Sequence, residues 1–443
     1  MSAPVSETRY TVLSADSSVS WVAVAGLAAV GFISGLANGF NGTLLEGAIP
    51  RMFATGVLQS SFEAGLLGGA LSLGGFIGSL ACTELAYRLS RRNMVVLGET
   101  IIICGVVLFA LAPSFFVVLT GRTICGFGVA ICGLAKPLIV SELAPSHMRG
   151  MLVALFAVGQ SVGLNVFYLT DFLLPPTDIE WAWRVLTAIG ASPAVGVVLL
   201  ALFTPSSTYW DVPPSESSQL GKSRSQDSPF EQLVRMLTLE PWEVRRNFGL
   251  VCALMIGYNL SGTLIISNYA STIFAEIHVA DRALPIAIGV MQFLGVVSAA
   301  VGADRFGRRP LLLASCAITA VSLFAIALLL GSGPSLTTLL GSALMPLLLA
   351  LMIVVEYAVG FGLNPIRIIL SAELMPTRYR SLGMSLGNAV GWGLSLLSLF
   401  FFPILSSLAG GPAPQFAFFG AVVTALTLLL QFQLSETKGI DFD

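Results

Sequence analysis

The sequence predicts an all-α integral membrane protein with twelve transmembrane helices in two pseudo-symmetric six-helix halves. Three observations carry this. The 443 residues are 55% hydrophobic and only 10% charged, with a mean hydropathy of +0.87; soluble domains carry roughly 25% charged residues. Apolar runs long enough to cross a hydrocarbon core, which takes about 20 residues of helix, recur twelve times. Two loop signatures recur at matched places in the two halves.

The elements follow in chain order. Residues 1–20 are polar, with no apolar core before a cleavage site, and are expected to form an N-terminal tail rather than a signal peptide. The first half, 21–203, holds spans at roughly 21–44, 59–83, 94–112, 115–140, 151–173 and 182–203. Residues 204–246 are Ser- and Pro-rich up to Pro229, then amphipathic through "FEQLVRMLTLEPWEVRR", and form a central loop. The second half, 247–433, holds spans at 247–270, 283–303, 309–331, 343–372, 381–405 and 413–433, and a short tail, 434–443, ends the chain. The loops after spans two, four, eight and ten carry nine arginines, among them Arg88, Arg149, Arg308 and Arg378. The opposite loops carry little more than Arg51 and Arg282. Positive charge stays on the cytoplasmic side, so both termini and the central loop are expected there, in the plasma membrane or an organelle membrane.

Composition also excludes. The net charge of −2 offers no basic field for nucleic acid. The six cysteines lie inside apolar runs with no metal-ligand spacing, and the only histidines, His147 and His278, fall near span ends. No phosphate-binding loop, zinc signature or nucleophile elbow occurs, so neither an enzyme nor a cofactor or metal is expected. The expected partners are a small-molecule solute and the lipid bilayer, with the chain as a monomer.

The halves repeat. "ELAPSHMR" (Glu142 to Arg149) follows span four and "ELMPTRYR" (Glu373 to Arg380) follows span ten, 231 residues apart; "AYRLSRR" follows span two and "ADRFGRR" follows span eight. Carriers built from repeats place their solute near the midplane, between the halves.

With "GRTICGFG", "ADRFGRRP", "AELMPTRYRSLGMSL" and the tail "SETKG" in order at their span ends, the chain resembles the major facilitator superfamily on its sugar-porter side, over essentially all twelve spans. The resemblance implies the major facilitator fold, alternating access, and a cytoplasmic gate. Carried over, the gate residues are Arg88, Arg91, Glu142, Arg149, Asp304, Arg305, Arg308, Glu373, Arg378 and Arg380; the plainer alternative is that they only set topology. Tyr87 and Ser90 depart from the Asp and Gly that the family pattern implies in the first-half loop.

The resemblance also locates the solute site. Asn41 stands where proton-coupled members have an Asp and facilitators an Asn; an amide cannot bind and release a proton, which favours facilitated diffusion and leaves Glu356 or Glu99 as the remaining candidates for coupling. Most hexose-binding positions have changed. Ala157 holds a glutamine position, with Gln160 three residues on and on the same helix face. Tyr258 and Asn259 replace paired glutamines, Gln292 an asparagine and Ile368 a tryptophan. Trp392 is kept beside Gly391.

Charge has been added. Lys136 lies six residues before Glu142 and Arg367 six before Glu373, so the offset of 231 relates the two cations as well. Six residues of helix is about 9 Å, well inside the membrane, where a cation costs about 2.5–3.5 kcal/mol at a helix centre. Such a pair, one per half, is arranged to grip an anion from both sides. Pairing with acids of the protein, or snorkelling to the surface, are the alternatives. The expected function is transport of a small polar organic solute, leaning to a carboxylate or phosphorylated metabolite, through Asn41, Lys136, Gln160, Asn259, Gln292, Arg367 and Trp392. The alternatives are a hexose carrier of the sugar-porter type and a non-transporting nutrient sensor.

Overall fold

The computed structural model describes residues 21–143, 149–174, 180–203, 229–276, 283–331, 341–376 and 378–436. The helices are α1 (Trp21–Ala54), α2 (Ser61–Arg88), α3 (Arg91–Ala110), α4 (Phe115–Leu143), α5 (Arg149–Leu173), α6 (Glu180–Ile189), α7 (Ser192–Phe203), α8 (Pro229–Thr238), α9 (Trp242–Asn259), α10 (Thr263–Glu276), α11 (Leu284–Phe306), α12 (Arg308–Gly331), α13 (Leu344–Ala358), α14 (Asn364–Glu373), α15 (Arg380–Ala409) and α16 (Ala413–Gln433). Ten segments among the described residues are long and apolar enough to cross a membrane, three of them built from two consecutive helices. The 34-residue α1 and the 25-residue α5 are two further long apolar helices.

Local chemistry sets the helix ends. Ser60 caps α2 by accepting from Glu63 N at 3.2 Å, and the Glu63 carboxylate accepts from Gln59 N at 2.6 Å. Both bonds satisfy N–H groups that a helix start leaves unpaired. Ser90, in the departed first-half loop, caps α3 through Asn93 N at 3.3 Å. The second half solves the same problem differently. Gly307 takes φ +91°, and Glu436 of the "SETKG" tail accepts from the backbone N–H of Arg308 (2.9 Å) and Arg309 (3.0 Å) at the start of α12. A carboxylate at a helix N-terminus also faces the positive end of its dipole.

Three predicted spans are broken rather than continuous. The span at 182–203 divides into α6 and α7 at Gly190–Ala191. The span at 247–270 breaks after Asn259, where Gly262 adopts φ +80°, and its second part continues as α10 to Glu276. The span at 343–372 carries a π-helical turn, Val359–Leu363, between α13 and α14. Ser315 of α12 holds that turn: its hydroxyl donates to Ala358 O at 2.7 Å and accepts from Leu363 N at 3.0 Å. The extra residue of a π turn frees backbone groups, and one serine satisfies two of them.

Small residues let the helices approach, as is usual where lipid removes the hydrophobic drive for association. Within the first half, Gly35 and Gly39 of α1 lie on the α5 backbone at Phe156 and Gln160, and Gly74 of α2 on α4 at Thr123. The halves meet along α2 and α15, which run antiparallel. Gly65, Gly68, Gly69 and Gly75 of α2 receive Phe400, Leu399, Leu396 and Trp392 of α15 in turn. Nearer the arginine-rich loops Thr83 donates to Ser385 at 2.8 Å. A second seam joins α5 to the other half: Asn165 Nδ2 donates to Gly289 O of α11 at 2.9 Å, and Tyr168 Oη to Ser267 O of α10 at 3.1 Å.

The amphipathic stretch of the central loop forms α8. Met236 is buried against Val251, Met375, Tyr379 and Leu382, while Val234, Leu237 and Trp242 stay exposed. Tyr379 Oη donates to Glu240 at 2.7 Å and Asn247 Nδ2 to Leu374 O at 2.9 Å, tying this loop to the segment after Glu373.

Candidate functional site

The buried charges divide by half. In the first half Lys136, 2% exposed, reaches across from α4 to Glu99 of α3, fully buried, at 3.0 Å. Ser34 of α1 donates to the same Glu99 oxygen, and the ammonium sits 5.6 Å from the Phe156 ring centroid. The expected clasp of two cations on one anion is therefore not what this half builds: Lys136 already has its anion. A buried pair leaves no spare charge, which offsets much of the desolvation each ion suffers.

Arg367 differs. Its guanidinium stacks on the Tyr258 ring with 3.7 Å from Cζ to centroid, donates to Asn364 Oδ1 at 3.3 Å, and approaches Met255 Sδ at 3.3 Å. Its Nε is buried without a hydrogen-bond partner, and no acid among the described residues contacts it. The stacking explains how a cation sits here at all: a desolvated cation–π contact is worth about 2 kcal/mol. Snorkelling is not the arrangement found, since the group points to α9 and stays half-buried.

Asn41 is fully buried. Its Nδ2 donates to Ala37 O (2.9 Å) and to Gly190 O (3.0 Å) at the α6–α7 break, its side-chain Oδ1 is buried without a hydrogen-bond partner, and its backbone carbonyl accepts from Arg122 Nη1 at 2.7 Å. In the sequence Arg122 stands out only as part of the "GRTICGFG" motif. It is in fact a buried guanidinium placed against the helix face of Asn41.

The remaining solute residues fall on different helices. Gln160 is half-buried on α5, against the glycines of α1. Asn259 donates to Met255 O at 2.7 Å and accepts from Ser395 of α15 at 2.5 Å. Trp392 is half-buried against Gly75 of the opposite half. Gln292 of α11 donates to Glu356 at 2.8 Å. Glu356, fully buried on α13, also takes the Thr263 hydroxyl at 2.7 Å and that of Ser267 at 3.4 Å. Thr263 and Ser267, at the start of α10, carry no motif that would have flagged them.

Of the gate residues, Arg308 of α12 and Glu373 of α14 approach at 3.8 Å, joining two loop signatures across the second half. Arg88 pairs with Glu84 on its own helix at 2.5 Å. Arg305 and Arg378 are exposed, Arg380 is half-buried, and the Arg378 guanidinium lies 5.3 Å from the Tyr379 ring centroid. The side chains of Arg91, Glu142, Arg149 and Asp304 lie outside those described.

Comparison with known proteins sets this geometry among carriers. The profile of the family described as "Sugar (and other) transporter" matches residues 19–443. Myo-inositol transporter 2 of Schizosaccharomyces pombe is 26% identical over 460 residues, covering 96% of this chain and 81% of that one. Polyol transporter 5 of Arabidopsis thaliana is 26% identical over 86% of this chain and 78% of its own. The human solute carrier family 2, facilitated glucose transporter member 10, is 31% identical over 70% of this chain and 59% of its own. Among solved structures, the proton:xylose symporter XylE bound to 6-bromo-6-deoxy-D-glucose superimposes with a TM-score of 0.76 at 18% identity, covering 95% of this chain and 97% of that one. The inward-open XylE from E. coli gives 0.73 at 20% identity, covering 95% and 98%. These relatives are named for sugars and polyols, and the expectation of an anionic solute finds no support among them; the sugar-porter alternative fits better.

Proposed function

The chain belongs to the sugar (and other) transporter family, a membrane transporter with the major facilitator fold, and from that premise we propose that it carries an uncharged, hydroxyl-rich solute of the sugar or polyol class by alternating access. One observation carries the mechanism. The halves meet through a glycine seam, Gly65 to Gly75 against Trp392 to Phe400, and through a few cross-half hydrogen bonds such as Tyr168 to Ser267. Smooth small-residue contacts can rock without repacking a core, because the facing backbones interdigitate little. Solute recognition falls to the half-buried polar groups on α5, α9 and α15: Gln160, Asn259 and Trp392. A ring stacked on a sugar face with amides on its hydroxyls is the usual composition of such a site. Asn41, spent on backbone carbonyls, has nothing to titrate, so nothing at the α1 position ties the solute to a proton.

A second reading has its own observation. Arg367 touches no acid among the described residues, so a carboxylate or phosphate carried on the sugar skeleton would complete it, with the anion held by this one cation. The test of both is uptake into proteoliposomes from a panel of myo-inositol, sorbitol, glucose, glucuronate and glucose 6-phosphate. Saturable uptake of a neutral member, unchanged in Arg367→Gln, supports the main reading. Preference for a charged member, lost in Arg367→Gln by about ten- to a hundredfold as a charge-assisted bond of roughly 1.5–3 kcal/mol implies, supports the second. Transport of none of them overturns both.

A further inference from the structure

Glu356 has no part in the solute site just described, yet it is the most completely enclosed carboxyl among the described residues of the second half. Its two oxygens meet the Thr263 hydroxyl at 2.7 Å each, Gln292 Nε2 at 2.8 Å and the Ser267 hydroxyl at 3.4 Å. No Lys, Arg or His among the described residues pairs with it. The ionisable groups within electrostatic reach are Tyr168 of α5 and Tyr258 of α9, and neither neutralises it. Arg367 stacks on Tyr258 without an ion pair to Glu356, and Glu46 and Asp171 act on Tyr168. Among the described residues, α10 and α11 meet Glu356 with two hydroxyls and an amide.

The location matters as much as the contacts. Thr263 is the first residue of α10, directly after Gly262 at φ +80°, so two of the three donors stand on a helix hinged to α9. Tyr269, inside α10, departs from helical geometry with φ −135°. The same helix bridges to the first half through Ser267 and Tyr168. When the halves separate at that end, α10 must leave either Tyr168 or Glu356.

We propose that Glu356 is a proton-binding site whose occupancy is set by the position of α10. With α10 docked, as here, an ionised carboxylate would sit in the membrane interior facing no cation, the costliest state open to a side chain. A proton removes the charge and keeps the contacts: the carboxyl O–H donates to Thr263 Oγ1, while Gln292 and Ser267 go on donating to the oxygens. With α10 away, water replaces Thr263 and Ser267, and the proton passes to that water, leaving the carboxylate hydrated. One proton is thus taken up on docking and released on undocking, with no other covalent bond changed. Glu99, the other buried acid singled out in the sequence, cannot play this part because Lys136 already neutralises it. The proposal rests on the carrier reading only in that the halves must part, and it supplies from α13 the titratable group that α1 lacks.

The test uses the full chain in lipid. Infrared spectra at neutral pH should contain the carbonyl stretch of a protonated carboxyl that is missing from Glu356→Gln and displaced in Thr263→Val, where the hydrogen-bond acceptor is gone. Glu356→Gln mimics the protonated form in size and is expected to fold; if it does not, the Thr263→Val displacement still decides. The second arm follows myo-inositol exchange against pH, with Glu356→Gln expected to lose the pH dependence of the wild type. Identical infrared spectra for wild type and both variants overturn the proposal. A pH profile unchanged in Glu356→Gln overturns the link to α10. The infrared arm needs no solute, so failure of the sugar reading is told apart from failure of this one.

Discussion

Removing the Glu99 carboxylate by Glu99→Gln should be among the most destabilising conservative changes in this chain. Glu99 is fully buried, Lys136 is 2% exposed, and their atoms stand 3.0 Å apart. At an effective dielectric near 20 that separation corresponds to an attraction of about 5 kcal/mol, most of which repays desolvation. Breaking such a pair from one side leaves a stranded charge and costs about 3–5 kcal/mol, a roughly hundred- to several-thousandfold drop in the folded-to-unfolded ratio. Lys136→Met should cost a similar amount by stranding Glu99. The double variant Glu99→Gln/Lys136→Met strands neither and should recover most of the loss, with the recovery insensitive to salt because the pair is shielded from it. The assay is a double-mutant cycle of unfolding in mixed micelles. If the two single losses simply add in the double variant, the pair is not coupled and the assignment fails. If Lys136→Met keeps wild-type stability but abolishes uptake of an acidic sugar, Lys136 returns to the solute and the two-cation clasp is restored.

Three further outcomes are expected. Arg308→Ala or Glu373→Gln breaks the 3.8 Å contact between α12 and α14 and should raise the labelling rate of cysteines introduced beside it, with unchanged labelling and transport reducing these residues to topology signals. Gly75→Val drives a side chain into the Trp392 ring and should abolish exchange while leaving a folded, monodisperse protein; normal exchange would mean that the seam does not move. Asn41→Asp puts a buried carboxylate on the residue whose backbone carbonyl accepts from Arg122 Nη1 at 2.7 Å; uptake should gain a pH dependence that the Glu356→Gln background does not remove, whereas Asn41→Ala should only cost about 1–3 kcal/mol of stability for its lost hydrogen bonds.

The helical spans were legible in the sequence because lipid imposes one rule, a long apolar helix, on every crossing. The breaks inside spans were less so. Gly262 and Gly190 look like any other membrane glycine, and the π turn at Val359–Leu363 depends on Ser315, which is 43 residues from Ala358 in the chain. Residue types flagged the candidate site but could not say which groups were already occupied. Lys136 and Arg367 are related by the repeat and alike in chemistry, yet one faces Glu99 and the other Tyr258. Neither partner is marked by spacing. Asn41 and Gln292 are expected to face the solute, yet their amide nitrogens donate to Gly190 O and Glu356. Only three-dimensional placement separates a free amide from a committed one.

The α2–α15 seam divides the chain into parts with very different freedom to vary. At Gly65, Gly68, Gly69 and Gly75 even one added carbon meets a neighbour, so nearly every substitution should be lethal to cycling whatever the cargo. Gln160 and Asn259, half-buried on α5 and α9, lie off that contact and as proposed solute groups should tolerate exchange, whereas Trp392, packed on Gly75, belongs to the seam. A saturating mutational scan selected on different solutes should therefore return one fixed seam and several interchangeable linings, which is how a single mechanical frame can be inherited unchanged while its cargo is rewritten.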